Sequence, residues 1–330
     1  MSSPLKKIAS LLGLSLLAFA TVAAVAPAAH SQTLKEIKLD YAYYSPESLV
    51  IKRNGWLEEA FKAQGTTVQW VFSRGSNNSL EFLNSGASNF ALTSSISALV
   101  ARVNGQPVRT VYSYLWAEPS ALVVQANSPI RNVADIKGKK IAATKGTDPY
   151  FFLLRTLDAN GLKPSDVEIV HLQHPDGRTA LEQGRVDVWA GLDPHMAGAQ
   201  AGGARFIYRN PAFGLAAFLN TSESFLNDHP QAVRTVLKAY ERARRWIIAN
   251  PKPTAALIAE ETKLPANVIE LQLARYDFSR PVPGAAHLDA IKPVVPLLQK
   301  DGILRRNADV DGPLNSLIDA RIATEVVAEK

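Results

Sequence analysis

From Ile37 onward the chain alternates short apolar runs with longer segments whose apolar residues recur at helical spacing. Short runs bounded by turn residues read as strands and the amphipathic stretches between them as helices, so the pattern predicts α/β architecture with parallel strands. The expected strands are Ile37 to Tyr41, Thr67 to Phe72, Phe90 to Leu92, Arg109 to Tyr114 and Ala121 to Gln125 in the first part of the chain. Lys140 to Ala143, Val167 to His171, Val188 to Leu192, Arg205 to Tyr208 and Ala216 to Asn220 follow. Helix boundaries are legible between them: Ser45-Pro46 offers an N-cap and a first-turn proline, and Asn160-Gly161 followed by Pro164 is a stop. After Phe225 the strands are expected to end. Helices are predicted over Pro230 to Ala249, Pro253 to Thr262, Pro265 to Tyr276, His287 to Lys300 and Leu314 to Val327, a tail that should pack back on the first lobe.

A weak internal echo joins two places about a hundred residues apart. Leu83-Asn84-Ser85-Gly86-Ala87-Ser88-Asn89-Phe90-Ala91 resembles Leu181-Glu182-Gln183-Gly184-Arg185-Val186-Asp187-Val188-Trp189. In each, a helix ends on glycine and passes through Asn or Asp into an apolar strand. Ordinary loop chemistry explains such a match, and so do two lobes of like construction.

With 330 residues, 47% of them hydrophobic and 20% charged, the chain carries enough apolar surface to exclude wholesale disorder. The absence of cysteine removes disulfides, thiolate nucleophiles, Cys-based metal sites and lipid attachment through cysteine. Residues 1–31 open with Lys6 and Lys7, run through an apolar stretch from Ile8 to Phe19 and exit through Ala26-Pro27-Ala28-Ala29-His30-Ser31. That is the layout of a secretory signal peptide cleaved near residues 28–31, and Ser10, Gly13, Ser15 and Thr21 interrupt it too often for an anchor. The expected mature protein is therefore periplasmic and not lipidated. Removing the two signal lysines reduces the formal charge from +6 to +4, with 34 basic against 30 acidic residues. Its tightest basic clusters, Lys137 to Lys140 and Arg242/Arg244/Arg245, read as solvated surface, so no nucleic-acid partner is expected.

Catalytic motifs are missing: there is no Gly-x-Ser-x-Gly, no phosphate loop, no Gly-x-Gly-x-x-Gly and no His-Glu-x-x-His. The histidines are scattered, and neither a metal nor a cofactor is expected. What stands out is the chemistry of the strand ends, where ligands gather in parallel α/β sheets. Tyr43, Tyr44 and Ser45 follow the first strand; Gly75, Ser76 and Asn77 follow the second; Thr93, Ser94 and Ser95 end the third. Thr144, Gly146 and Thr147 follow the Lys140 strand, and Asp193 follows the Val188 strand that carries Trp189. Helix N-termini with Ser and Thr hydroxyls make an anion site without a formal positive charge. The same residues also serve as ordinary N-caps. Asp148 and Asp193 are discordant beside an anion: either they face away or the ligand also carries a positive group.

Asn127-Ser128-Pro129-Ile130, Val133 to Ile141, Lys145-Gly146-Thr147, Gly161-Leu162 and Gly184 to Pro194 together resemble the periplasmic aliphatic-sulfonate-binding proteins of the nitrate/sulfonate/taurine group of ABC-transporter receptors. The resemblance spans the whole mature chain. It implies a type II periplasmic binding fold, two lobes of mixed, mostly parallel sheet flanked by helices with the ligand between them. Lobe I would comprise residues 32–117 and 215–330, lobe II residues 118–214, with hinge crossings near Trp116 to Pro119 and Pro211 to Leu215. It implies the cleft positions named above as ligand-binding residues. It also implies a monomeric receptor, not an enzyme, that delivers an alkanesulfonate or taurine-like anion to a membrane permease and its cytoplasmic ATPase. Asn89, Ser94 to Ser97 and Asp148-Pro149 depart from the family pattern, which leaves nitrate or a thiamine-precursor-like or aromatic ligand as alternatives, and an enzyme on this fold as a remote one.

Overall fold

The computed structural model describes residues 34–117 and 120–329. The expected signal segment and the Glu118-Pro119 part of the first crossing lie outside them. In the first section, β1 (Glu36–Tyr41), α1 (Pro46–Asn54), α2 (Trp56–Lys62), β2 (Thr67–Phe72), α3 (Ser76–Ser85), β3 (Phe90–Ser94), α4 (Ser95–Val103) and β4 (Val108–Ala117) follow one another. A middle section holds β5 (Ala121–Val124), β6 (Lys140–Ala143), α5 (Asp148–Ala159), β7 (Glu168–His171), α6 (His174–Glu182), β8 (Val188–Gly191), α7 (His195–Ala201) and β9 (Arg205–Arg209). The last contains β10 (Leu215–Ser222), α8 (Glu223–Asp228), α9 (Pro230–Ala249), α10 (Pro251–Thr262), α11 (Ala266–Leu273), β11 (Tyr276–Asp277), α12 (Ala285–Ile291), α13 (Val295–Asp301), α14 (Asp311–Asn315) and α15 (Arg321–Ala328).

All ten predicted strands are present, each within three residues of its expected ends. With β11 added, they form a β1-β2 pair, a four-stranded sheet β11-β4-β10-β3 and a five-stranded sheet β7-β6-β8-β5-β9. Lys38 N donates to Asn89 Oδ1 and Asn89 N to the Lys38 carbonyl, which seats β1 beside β3. Lys140 and Asp187 make the same two bonds at the start of β6 and β8. The sequence echo is therefore one hydrogen-bond device used twice.

Mixed sheets flanked by helices agree with the expected fold class, but antiparallel pairing is commoner than expected. β1-β2, β6-β7 and β6-β8 are parallel, whereas β10 with β3 and β4, β11 with β4, and β5 with β8 and β9 are antiparallel. The chain leaves the four-stranded sheet along β4 and returns along β10, so these neighbours must run in opposite senses; β5 and β9 repeat this in the other sheet.

The C-terminal region corrects three helix expectations. β11 adds a strand after Phe225, pairing with the end of β4 where the helix Pro265 to Tyr276 was expected to continue. Prolines lack the N–H a helix interior needs, and the His287 to Lys300 segment breaks into α12, a 3-10 turn at Lys292–Val294 and α13. Leu314 to Val327 divides because Leu317 O and Asp319 N bond both backbone groups of Thr110.

Alternation along the strands explains the core. In the five-stranded sheet Leu122, Val124, Ile141, Val188 and Ala190 face one apolar cluster that also takes α4, α5 and α12 to α14. Ala121, Val123, Ala142 and Trp189 face another, under α6 and α7. Both faces are buried, as helices on two sides require. Trp189 is thus a core residue, and a Cβ on Gly177 would come within 2.8 Å of its ring. α9 turns Val233, Val236, Leu237, Tyr240 and Ile247 onto β1, β3 and β4, so the tail does pack on the first section. Arg244, expected on a solvated face, is largely buried and bonds Glu241 and the Phe278 carbonyl.

Candidate functional site

The carboxyl ends of β1, β2, β3, β6 and β8 open onto one cleft. Its inner chamber is lined by Tyr44, Ser76, Ser94, Thr147, Asp148 and Asp193, with Tyr114, Leu115, Ala117, Ala217 and Tyr276 forming its floor. Three helices begin at this chamber: α3 after Gly75, α4 after Ser94 and α5 after Thr147. First-turn N–H groups have no partner within their own helix, and their aligned dipoles place partial positive charge at the same spot. Hydroxyls complete the arrangement. Ser76 Oγ accepts from Ser94 N at 3.0 Å, and Ser94 Oγ caps α4 by accepting from Ser97 N at 3.1 Å.

Contacts join α4 to the β6–α5 loop, the β2–α3 loop to α6, and α5 to α13. Ser97 Oγ donates to the Gly146 carbonyl at 2.8 Å, Arg74 pairs with Asp176 at 2.9 Å, and Tyr150 donates to Asp301 at 2.7 Å. Because the Ser97 proton goes to a carbonyl, Ser94 must be the donor in the 2.8 Å Ser94–Ser97 hydroxyl pair. Ser94 is also the hydrogen-bonding neighbour of the Asp148 carboxyl. Burial pushes the Asp148 carboxyl up to about 7, with the Ser94 hydrogen bond and Arg155 opposing less strongly.

Asp193 is handled differently. It is 3% exposed, and Arg275 Nη1 donates to its two oxygens at 2.9 and 2.7 Å while Ala197 N donates to Oδ1 at 2.8 Å. Arg275 also donates to Gln200. An arginine between α11 and β11 thus clamps the loop after β8. Beneath the chamber, Asp40 Oδ2 accepts from Leu92 N at 3.0 Å and from Ser79 Oγ, and burial pushes this carboxyl up to about 7 as well.

An outer chamber shares Tyr44, Leu192 and Asp193 with the inner one. Tyr43 and Phe72, with ring centroids 4.9 Å apart, form one wall; His174, Pro175, Pro194 and His195 form the other, with Arg74 beside them. Burial lowers His174 to about 3 and His195 to about 4, so both rings are neutral.

Of the fourteen residues expected at the site, Tyr43, Tyr44, Ser76, Ser94, Thr147 and Asp193 line these chambers. Gly75, Asn77 and Gly146 lie where the start of α3 meets the β6–α5 loop; a Cβ on Gly75 would stand 3.4 Å from Thr147 Cγ2 and one on Gly146 3.6 Å from Asn77 Cβ. The other five sit behind the surface. Ser45 caps α1, Thr93 bonds Asn220, Thr144 bonds the Leu172 carbonyl and His174, Ser95 is fully buried at the start of α4, and Trp189 is core. Asp148 faces the cleft, which answers the question its position raised. Sequence reasoning missed Tyr114 and Tyr276, hidden in a strand interior and at an expected helix end, and Arg275, which no local pattern distinguishes from a surface arginine.

Comparison with known proteins adds the following. The model of the family described as NMT1/THI5 like matches residues 49–254. A protein of Escherichia coli strain K12 named as an aliphatic sulfonates-binding protein is 28% identical over 267 residues, covering 79% of this chain and 82% of its own. A Bacillus subtilis protein of the same name is 27% identical over 245 residues, covering 73% and 74%. Among solved structures, the alkanesulfonate-binding protein SsuA from Xanthomonas axonopodis pv. citri, bound to MOPS, superposes with a TM-score of 0.79 at 24% identity over 87% of this chain and 98% of that one.

Proposed function

Because the chain belongs to the NMT1/THI5-like family and has the type II periplasmic binding fold, we propose that it is the extracytoplasmic solute-binding component of an ABC importer, taking an aliphatic sulfonate into its cleft. The observation that carries this reading is the convergence of three helix N-termini on one chamber, beside the hydroxyl of Ser76. A sulfonate spreads one charge over three oxygens, and three donor clusters from different directions suit that shape. The relatives named for sulfonate binding support the same choice.

The lobes divide at the two crossings, with residues 32–117 and 215–330 on one side and 118–214 on the other. α3 and α4 belong to the first and α5 to the second, so the anion meets all three helix starts only when the lobes are shut. Its differential affinity for that state is what closes them. The closed, loaded form is then the shape recognised by a membrane permease driven by a cytoplasmic ATPase, and the receptor acts in the periplasm as a monomer. Its ligand leaves chemically unchanged.

Calorimetry on the mature protein tests this directly. Ethane- to octanesulfonate should give saturable heat, and nitrate and sulfate should bind more weakly. Absence of heat and of any melting shift with every sulfonate would refute the assignment.

A further inference from the structure

The floor of the inner chamber contains a hydroxyl whose hydrogen no protein group takes up. Tyr276 lies in β11, opposite Ala117 at the end of β4, and both residues line the chamber. Gln272 of α11, fully buried, donates from Nε2 to the Tyr43 carbonyl at 2.9 Å and to Tyr276 Oη at 3.1 Å. Those two bonds use both amide hydrogens. Turning the amide over would set Oε1 against the Tyr43 carbonyl, acceptor against acceptor, so the nitrogen must stay where it is. Tyr276 Oη is therefore the acceptor toward Gln272, and its own hydrogen is directed elsewhere. Among the described residues no acceptor stands within hydrogen-bonding distance to receive it. Burial, and after it the charge of Asp193, raises the phenol above its usual value, so the proton stays on the oxygen. Asp193 lines the same chamber, and its reach to the hydroxyl sets that group at the chamber wall instead of behind it. A buried donor left unmatched is costly, and a ligand oxygen recovers that cost.

We propose that Tyr276 is a ligand-binding residue, an uncharged donor to one sulfonate oxygen, and that Gln272 is the positioning residue that turns its hydrogen into the chamber. The phenol adds a directed contact that comes from no helix start. Its ring is held by the β11–β4 pairing and packs edge-on against Phe278 at 6.3 Å, so the donor is fixed before the ligand arrives. This inference rests on the sulfonate reading, and its test separates the two.

Calorimetry with ethanesulfonate reads the effect. Tyr276→Phe should weaken binding about tenfold or more. Gln272→Glu presents an acceptor to Tyr276 in either protonation state, because the Tyr43 carbonyl claims the only proton the acid has. The phenol hydrogen then turns away from the chamber, and binding should weaken to a similar extent. The double variant should bind no more weakly than the weaker of the two single ones. Gln272→Leu, which removes the amide without offering an acceptor, should keep most of the affinity. Melting curves establish that these variants fold. If the Gln272 variants do not, 3-fluorotyrosine in place of Tyr276, a more acidic phenol of nearly the same size, should tighten binding, which a ring with a purely structural role would not do. Wild-type affinity in Tyr276→Phe overturns the assignment and leaves the sulfonate reading standing. Losses that add in full in the double variant, or unchanged binding with 3-fluorotyrosine, overturn it as well. Failure of every sulfonate from ethane- to octanesulfonate to bind the wild type overturns both readings.

Discussion

Asp148 places a titrating carboxyl in the wall of a chamber proposed to hold a permanent anion, and the consequence for affinity can be worked out. Asp148 lines the inner chamber, so an anion held there lies on the order of 5 Å from its carboxyl. At an effective dielectric constant of about 20, two like charges at that separation repel by about 3 kcal/mol, or about two pKa units. With the cleft shut and empty, burial holds the Asp148 carboxyl at about 7. The bound anion favours the protonated acid and moves that value to about 9. Affinity for a plain alkanesulfonate should therefore be constant below about pH 6, fall nearly tenfold per unit between about 7 and 9, and level off about a hundredfold weaker. The sulfonate does not titrate in this range, and His174 and His195, lowered to about 3 and about 4, stay neutral throughout. Asp40, which also titrates at about 7, is the group to control for with Asp40→Asn. Calorimetry from pH 5.5 to 9.5 on wild type and Asp148→Asn is the assay, and the variant should show a flat profile. A flat wild-type profile, or an Asp148→Asn profile with the wild-type slope, refutes the reasoning.

Two further outcomes follow from buried charge. Breaking a buried pair costs about 3 kcal/mol or more, so Arg275→Met, which withdraws the guanidinium from Asp193 and Gln200, should lower stability by about that amount in denaturant titrations and weaken sulfonate binding. Unchanged values for both would mean that the clamp is inert. Asp40 holds its proton more tightly folded than unfolded, so it favours the folded state least at high pH. Its contribution to stability falls as the pH rises from about 4 to about 7, by at most about 4 kcal/mol. Asp40→Asn should remove that part of the slope and melt higher than wild type at pH 8; an unaltered melting profile from pH 5 to 8 would contradict the shift.

Much of the architecture was legible because strands and helices in this chain are short and cleanly punctuated. The ten expected strands, the N-cap at Ser45 and the glycine exits at Gly86 and Gly184 are local signals, and all ten strands form. Sheet sense was less legible. The reversal between β4 and β10 depends on where the chain crosses and comes back, which no window of residues records. At the cleft, the sequence identified loops that do meet there but not which side of each loop lines the chambers. Ser94 and Ser95 are neighbours, and one lines the chamber while the other is buried behind it. Trp189, placed in the cleft by the resemblance, is turned into the core by period-two alternation along β8. Arg275 lay beyond reach for a different reason: its partner is Asp193, far earlier in the chain, and long-range pairing leaves no local trace.

The pairing around the crossings limits how the cleft can move. Ala117 at the end of β4 stands opposite Leu215 at the start of β10, and across the gap Ala121 at the start of β5 stands opposite Arg209 at the end of β9. Both connections are thus anchored at matching heights on either side, like two pins of one door hinge. On the proposed two-lobe reading, such a joint would swing about a single axis and resist torsion. A bulkier guest would then stop the swing at a wider angle instead of skewing the halves, and the importer would sense cargo size as a degree of shutness.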